Sequence, residues 1–393
     1  MKIPIIFLVF TFLPLLLNAE PKTKTLYLPL VHINKAQYFD SKILTPPLTS
    51  PRAYQGLAFL AEIYIGSPAV RQFLLIDTGS TLSWNQCYPC PIFFNHIYPR
   101  YWPEDSTTYR DAECETTGSD SNPRFNYLYS SGICRYEQRY ADGNSIQGTL
   151  STETFLIQTR DGRFEELHDV YMGCNDQALG HSYTGTGILG LGFGNFSIVE
   201  KLGSKFSFCI GRIREHGSTH NLILGDGANI QGNPTMISIS RGHYMFQLES
   251  ILVGEKITLD YPLQVYLDTG STISHLSEGL YKDIVDKVKN IIGVEPLRGE
   301  SLPQKSLLCY AIDASKIPED IDIGFIFEGG AELSVDVRSL FILLKQGTLC
   351  LAIDENPEED DEIIIGAAAL QGYNIGYDIK AKMVYLQKQN CNM

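Results

Sequence analysis

A ten-residue pattern occurs twice in this chain. Leu74-Leu-Ile-Asp77-Thr-Gly-Ser-Thr-Leu-Ser83 is matched by Val265-Tyr-Leu-Asp268-Thr-Gly-Ser-Thr-Ile-Ser274, 191 residues later. Each copy is an apolar run that breaks into Asp-Thr-Gly-Ser, a strand-to-turn signal, because Asp and Gly both favour turns. A single copy is ordinary turn chemistry. Two copies extended to Asp-Thr-Gly-Ser-Thr, each behind an apolar strand, are not. A second signal, two apolar residues and a glycine, follows each copy: Ile188-Leu189-Gly190 in the first half and Ile364-Ile365-Gly366 in the second. Two motifs in the same order in each half point to duplicated lobes. A chain of 393 residues accommodates two lobes of ordinary domain size. Gly, Asn and Pro cluster between Asn229 and Ser240, which places the boundary there. The expected organisation is a first lobe over 54–235 and a second over 236–393.

Short runs rich in Val, Ile, Leu, Tyr and Phe recur between turn residues, so the fold class is mostly β with a few helices. The clearest helical period follows Ser277, where Leu280, Ile284, Val285 and Val288 share one face. A second, short helix is expected at Ile198–Leu202.

The duplicated turns carry chemistry when they are placed about a pseudo-twofold axis. Asp77 and Asp268 then face each other at hydrogen-bonding distance. Two carboxylates that close do not both ionise easily, and the pair shares one proton over an intermediate pH range. The ionised member can act as general base on a water held between them, and the protonated member can donate to a scissile carbonyl oxygen. The macroscopic pKa values belong to the pair. Gly79 and Gly270 permit close backbone approach, and the hydroxyls of Ser80 and Ser271 can donate to the carboxylates. Thr78 and Thr269 complete the two supporting turns. This chemistry needs neither metal nor cofactor, and no nucleotide-binding motif occurs.

The first residues have the form of a secretory signal. Lys2 precedes the apolar run Ile5 to Leu17, and Ala19 offers a cleavage point. The run is shorter than the roughly 20 residues that span a bilayer, so 1–19 is expected to be removed. Residues 20–52 carry a net charge of +3 and the remaining 341 residues −18. A basic leader before an acidic body suggests an intramolecular electrostatic partner and argues against nucleic acid. Nine cysteines in a secreted chain imply disulfides with one thiol left over. Cys87-Tyr-Pro-Cys90 has no thioredoxin-like βαβ surroundings, and zinc-site spacing is absent. Cys209, in the apolar run Phe206-Ser-Phe-Cys-Ile, is the candidate for the buried free thiol. Asn195-Phe-Ser197 is the one permitted glycosylation sequon, and the acidic run Glu358–Glu362 is expected to be a solvated hairpin tip.

These residues resemble those of the pepsin-like aspartic proteases, and more closely the nepenthesin-like plant branch, over residues 54 to 393. The resemblance implies a bilobal fold and a monomeric endopeptidase acting on peptides or proteins, with apolar pockets beside the scissile bond. It implies a location outside the cell or in the vacuole. Trp84, seven positions after Asp77, and Tyr140 in Arg139-Tyr-Ala-Asp142-Gly143 look like the family's tryptophan and flap tyrosine, which are bridged in that family by water. The stretch between Asp77 and Tyr140 is similar to the nepenthesin-type insert, and residues 20–53 look like a short prosegment whose lysines would lie over an acidic cleft. The resemblance also implies the pairings Cys309–Cys350, Cys174–Cys391, Cys87–Cys90 and Cys114–Cys134. Two departures stand out. The second turn reads Asp-Thr-Gly-Ser where this branch more often has Asp-Ser-Gly-Thr, and the hydroxyls survive the exchange. Ala367 follows Gly366 where relatives often carry Asp or Asn, which makes a less acidic pH optimum an expectation. The rival reading is a non-catalytic relative that binds or inhibits another protein. A disulfide-rich surface or storage protein leaves the duplicated motifs unexplained.

Overall fold

The computed structural model describes residues 24–32, 57–112 apart from 95 and 97, 125–180 apart from 131, 132, 142 and 160, 185–297 apart from 214 and 216, 307–318, 322–356 apart from 346 and 347, and 363–391. Strand alternation dominates, as the apolar runs require. In Leu26–His32 the side chains of Leu26, Leu28 and Leu30 are buried while those of Tyr27, Pro29 and Val31, on the other face, are half-buried or exposed, the period of two that a half-buried strand demands. The expected helix after Ser277 runs Glu278–Ile292 and buries Leu280, Ile284, Val285 and Val288 against the sheet; Gly293 ends it in the left-handed conformation. The short helix Ile198–Lys201 starts at Ser197, whose hydroxyl accepts the Val199 N–H. That hydroxyl belongs to the sequon: Ser197 is buried in its capping role, and Asn195 is exposed.

The strands form sheets of fifteen, eight and three members among the described residues. The largest begins with Asn233–Met236, passes through Met383–Lys388, Tyr373–Asp378, Lys205–Ile210 and His220–Leu224, and continues into the first lobe as far as the hairpin Ile133–Arg139/Ser145–Gln158. The expected boundary after residue 235 therefore falls inside a strand, and the last two strands of the chain leave the second half to pair beside Lys205–Ile210. Phe206 and Tyr377 stack across this junction at 4.4 Å between ring centroids and 6° between planes, with Tyr244 at 5.1 Å from Tyr377. One apolar core runs from Leu26 and Phe59 through these rings to Ile365.

Residues 1–19, expected as a signal, lie outside the described residues. Part of the expected prosegment does not. Leu26–His32 is hydrogen-bonded on both sides, to His220–Leu224 and to Phe59–Ile65. Lys24 meets Glu165 at 3.2 Å and donates to the Glu166 carbonyl, so this lysine is spent at the end of a first-lobe strand and not over the aspartates. Among the described residues no helix is long and apolar enough to cross a membrane.

The cysteines pair differently from two of the implied bridges, Cys174–Cys391 and Cys87–Cys90. Cys309–Cys350 forms as expected, its two residues lying opposite each other in adjacent strands. Cys87 bonds to Cys174, because Trp84–Gln86 runs parallel to Phe164–Leu179 with Asn85 opposite Cys174, which carries the next residues onto that strand. Cys209, expected free, bonds to Cys391. Its strand neighbours Tyr373–Asp378, and the tail returns past it, with Thr219 donating to the Cys391 carbonyl at 2.6 Å and Gln389 to the Gly372 carbonyl at 2.9 Å. Cys90 is the buried free thiol, donating to the Ile92 carbonyl, and burial pushes its pKa up to about 11. Cys134 is disulfide-bonded; Cys114 and the acidic run lie outside the described residues.

Two outcomes follow. Non-reducing peptide mapping should recover Cys209–Cys391 and Cys87–Cys174, with Cys90 alkylated only after denaturation; recovery of Cys174–Cys391 would contradict the fold. Leu28→Ala, which truncates a fully buried side chain in the strand common to two others, should lower stability by about 2–5 kcal/mol in urea titration.

Candidate active site

The strands Val70–Asp77 and Glu255–Asp268 each deliver an aspartate to the same point. Asp77 and Asp268 are 5% and 7% exposed. Each carboxylate is held in the same way. One oxygen of Asp77 accepts the Gly79 N–H at 2.8 Å and the other the Ser80 hydroxyl at 2.5 Å. Asp268 accepts Gly270 N–H at 2.8 Å and the Ser271 hydroxyl at 2.6 Å. The turns reach beneath one another's carboxyl group. A Cβ added to Gly79 would sit 3.0 Å from the Asp268 carboxyl, and one on Gly270 would sit 2.5 Å from Asp77 Oδ1. Only glycine leaves that space open.

The threonines lock the two turns together. Thr78 Oγ1 donates to the Leu267 carbonyl at 2.7 Å and accepts the Thr269 N–H at 3.0 Å. Thr269 Oγ1 donates to the Ile76 carbonyl at 2.9 Å and accepts the Thr78 N–H at 3.1 Å. All four bonds cross between the halves of the chain.

The apolar-apolar-glycine signals supply the strands behind the turns. Gly187–Gly190 runs parallel to Val70–Asp77 with Gly190 opposite Asp77, and Ile363–Gly366 runs parallel to Glu255–Asp268 with Gly366 opposite Asp268. A Cβ on Gly190 would lie 2.8 Å from the Leu82 backbone, and one on Gly366 2.3 Å from the Ile273 carbonyl oxygen. Two serines not singled out from sequence complete the arrangement: Ser83 Oγ accepts the Gly190 N–H and Ser274 Oγ the Gly366 N–H, each at 3.1 Å. The repeat itself was the signal for them, since both stand at the sixth position after their aspartate. Ala367 is fully buried, its N–H donating to the Ser271 carbonyl at 2.8 Å.

Over the first lobe lies the hairpin tip. Tyr140 begins the turn, with its N–H donating to the Asn144 carbonyl at 2.8 Å and its carbonyl accepting the Gly143 N–H at 3.0 Å. Gly143 has φ +84°, a conformation that favours glycine; Asp142 lies outside the described residues. The Trp84 indole N–H donates directly to the Tyr140 hydroxyl at 2.6 Å, closer than the water-bridged arrangement expected. The outer strand is anchored at Glu153, a buried carboxylate that accepts Tyr101 OH at 2.5 Å, Ser106 OH at 2.7 Å, the Thr108 hydroxyl and the Thr154 N–H. These bonds fasten the segment after Trp84 to the flap strand.

Burial pushes the Asp77 carboxyl well above the usual carboxylate range. The neighbouring Asp268 carboxyl adds to this, while Ser80 and the Gly79 N–H oppose it. Asp77 therefore keeps its proton at pH values where an exposed aspartate has lost it.

Residues 59–226 match the family described as xylanase inhibitor N-terminal, and residues 243–388 the one described as xylanase inhibitor C-terminal. The chain is 52% identical to Aspartyl protease UND of Arabidopsis thaliana over 397 residues, covering 100% of both. It is 26% identical to aspartic proteinase nepenthesin-2 of Nepenthes gracilis over 382 residues, 91% of this chain and 82% of that one. Among solved structures, basic 7S globulin from soybean shares the fold with a TM-score of 0.67 at 15% identity, covering 94% of this chain and 98% of that one.

A raised carboxyl pKa in the folded state makes folding bind a proton, so this group's contribution to stability is full at low pH and is lost as pH rises through the folded value. Asp77→Asn removes the ionising group. It should raise the melting temperature near neutral pH and leave it unchanged well below the usual carboxylate range; a uniform shift at all pH values would show that ionisation is not the cause.

Proposed function

The chain belongs to the pepsin-like aspartic protease family, and on that premise we propose that it is an active endopeptidase in which Asp77 and Asp268 activate water. The observation that carries this reading is a pair of buried aspartates, each fixed by a glycine N–H and a serine hydroxyl, on turns that reach beneath one another's carboxyl group. The ionised carboxylate takes a proton from water as the water oxygen attacks the scissile carbonyl. The protonated partner donates to the carbonyl oxygen, giving a gem-diol. Return of a proton to the amide nitrogen and collapse of the diol break the C–N bond, releasing an amine and a carboxylic acid. Thr78, Thr269, Ser80 and Ser271 hold the pair in place, so little reorganisation is needed. Tyr140, steadied by Trp84, closes the flap over an extended peptide.

The rival reading, a binder or inhibitor of another protein, draws support from the description of the two matched domains. The intact pair of turns weighs against it, since a binding surface has no need of two carboxylates sharing one proton. The disulfides favour passage through an oxidising compartment, in keeping with secretion after loss of 1–19. We read 20–53 as a prosegment. Because Leu26–His32 is built into the sheet, release of this leader would require that strand to be replaced or to remain bound after cleavage.

Denatured protein substrate should be cleaved somewhere between about pH 2.5 and about pH 7, with pepstatin blocking the cleavage and Asp77→Asn or Asp268→Asn lowering it by at least about 10²–10⁴-fold. Folded, processed protein with no cleavage at any pH would favour the binding reading. Tyr140→Phe, which removes a hydrogen bond worth about 1 kcal/mol, should lower kcat/KM by roughly five-fold with the pH profile retained.

A further inference from the structure

Asn195-Phe196-Ser197 is a motif that the proposed chemistry leaves unused, and the fold gives it a particular setting. The chain reaches it from an anchored stretch. Leu191 N–H donates to the Asp77 carbonyl and Gly192 N–H to the Ser80 carbonyl, each at 2.8 Å, and Phe193 N–H donates to the Gly242 carbonyl at 2.9 Å. A turn from Gly194 to Ser197 follows, closed by the Ser197 N–H on the Gly194 carbonyl at 3.0 Å. Asn195 is the first of its two central residues, the corner of such a turn. It is exposed, and its carboxamide makes no hydrogen bond among the described residues.

The aromatic residues on either side of Asn195 behave differently. Phe196 is half-buried and packs against the apolar cluster that holds Trp84; its ring meets Tyr171 edge-on at 4.8 Å. Phe193 is 38% exposed and makes no ring contact among the described residues. Its Cα lies at most about 7 Å from that of Asn195, since the two are two residues apart. A pyranose linked to the Asn195 amide therefore begins within reach of the Phe193 ring. One face of an N-acetylglucosamine carries only C–H bonds, and these pack against the electron-rich face of an aromatic ring while removing apolar surface from water.

We propose that Asn195 carries an N-linked glycan whose first N-acetylglucosamine lies on the ring of Phe193. The proposal rests on passage through the secretory pathway and is independent of the endopeptidase reading. The donor is a lipid-linked oligosaccharide pyrophosphate: the Asn195 amide nitrogen bonds to C1 of the first sugar, the C1–O bond to pyrophosphate breaks, and the amide loses one proton. The Ser197 hydroxyl that belongs to the acceptor motif is buried in the folded chain, where it accepts the Val199 N–H at 3.2 Å. Transfer must then precede folding of this turn, and the sugar settles on Phe193 as the turn closes.

The test uses the full chain expressed with its own first residues in a secretory host that makes oligomannose glycans on ¹³C-labelled sugar. Glycopeptide mapping should find Asn195 occupied, and unmodified Asn195 in secreted, disulfide-bonded protein would overturn the proposal. Enzymatic trimming to a single N-acetylglucosamine then allows the sugar to be followed by NMR. In wild type its C–H protons should show upfield ring-current shifts. In Phe193→Ala they should return to ordinary positions, and in Phe193→Trp, which keeps an aromatic face, the shifts should persist. Unshifted protons in wild type, or shifts that survive Phe193→Ala, would overturn the packing on Phe193. Protein that stays inside the cell with residues 1–19 attached and its cysteines reduced would overturn the secretory reading, and this proposal with it.

Discussion

Four hydrogen bonds between Thr78 and Thr269 and the strands facing them join the two halves of the chain at the point where charge is buried. Two carboxyl groups in contact inside a protein repel when both are ionised and lose hydration whether or not they are. Left to side-chain freedom they would separate. The threonine network prevents this by fixing the backbones, so that the carboxylates cannot part without breaking bonds that are themselves buried. The glycines then set how close the carboxyls come, since each has the opposite carboxyl where a Cβ would be. Pairing the strands Gly187–Gly190 and Ile363–Gly366 behind the turns completes the frame.

Much of this frame was legible because the chain states it twice. A repeated Asp-Thr-Gly-Ser-Thr at the end of an apolar strand identifies the aspartates, their glycines and their serines, and the same repeat contains Ser83 and Ser274 at equal offsets. The helix after Ser277 was legible for another reason: its apolar residues fall on one face at a period of 3.6, and that is a local property. Disulfide connectivity is not local. Cys209 reads as a core residue because it lies in an apolar run, yet its partner is set by where the chain's last strands dock, 182 residues later. Cys87 and Cys90 look paired at close spacing, but the parallel strand carrying Cys174 meets Cys87 first. The reading of 20–53 rested on charge, whereas within it the alternation of leucines in Leu26–His32 is that of a strand.

The central sheet explains why a duplicated molecule does not divide cleanly at its midpoint. Tyr373–Asp378 and Met383–Lys388 pair with strands of the first half, and the Cys209–Cys391 bridge fastens the tail there. The lobes are thus tied at the turns by threonines and beneath them by a shared sheet with stacked Phe206 and Tyr377. That backbone ladder is continuous from Asn233–Met236 into the first lobe, whereas Glu255–Asp268 lies in the separate eight-stranded sheet, so the two sheets are joined at the turns by the threonine bonds and by packing.

The symmetry ends at the row flanking each aspartate. At the aspartates themselves the two lobes are nearly interchangeable, as sharing one proton requires. One step further out they diverge: Trp84 hydrogen-bonds to the flap tyrosine, while His275 occupies the matching position in a row with Tyr266 and Asp354. On the endopeptidase reading the two carboxyls act as a pair, while a peptide has direction and presents different side chains on either side of the bond to be cut. A change at Thr78 or Gly79 disturbs both halves, since both reach across to the opposite turn, whereas Trp84 and His275 pair within their own lobes.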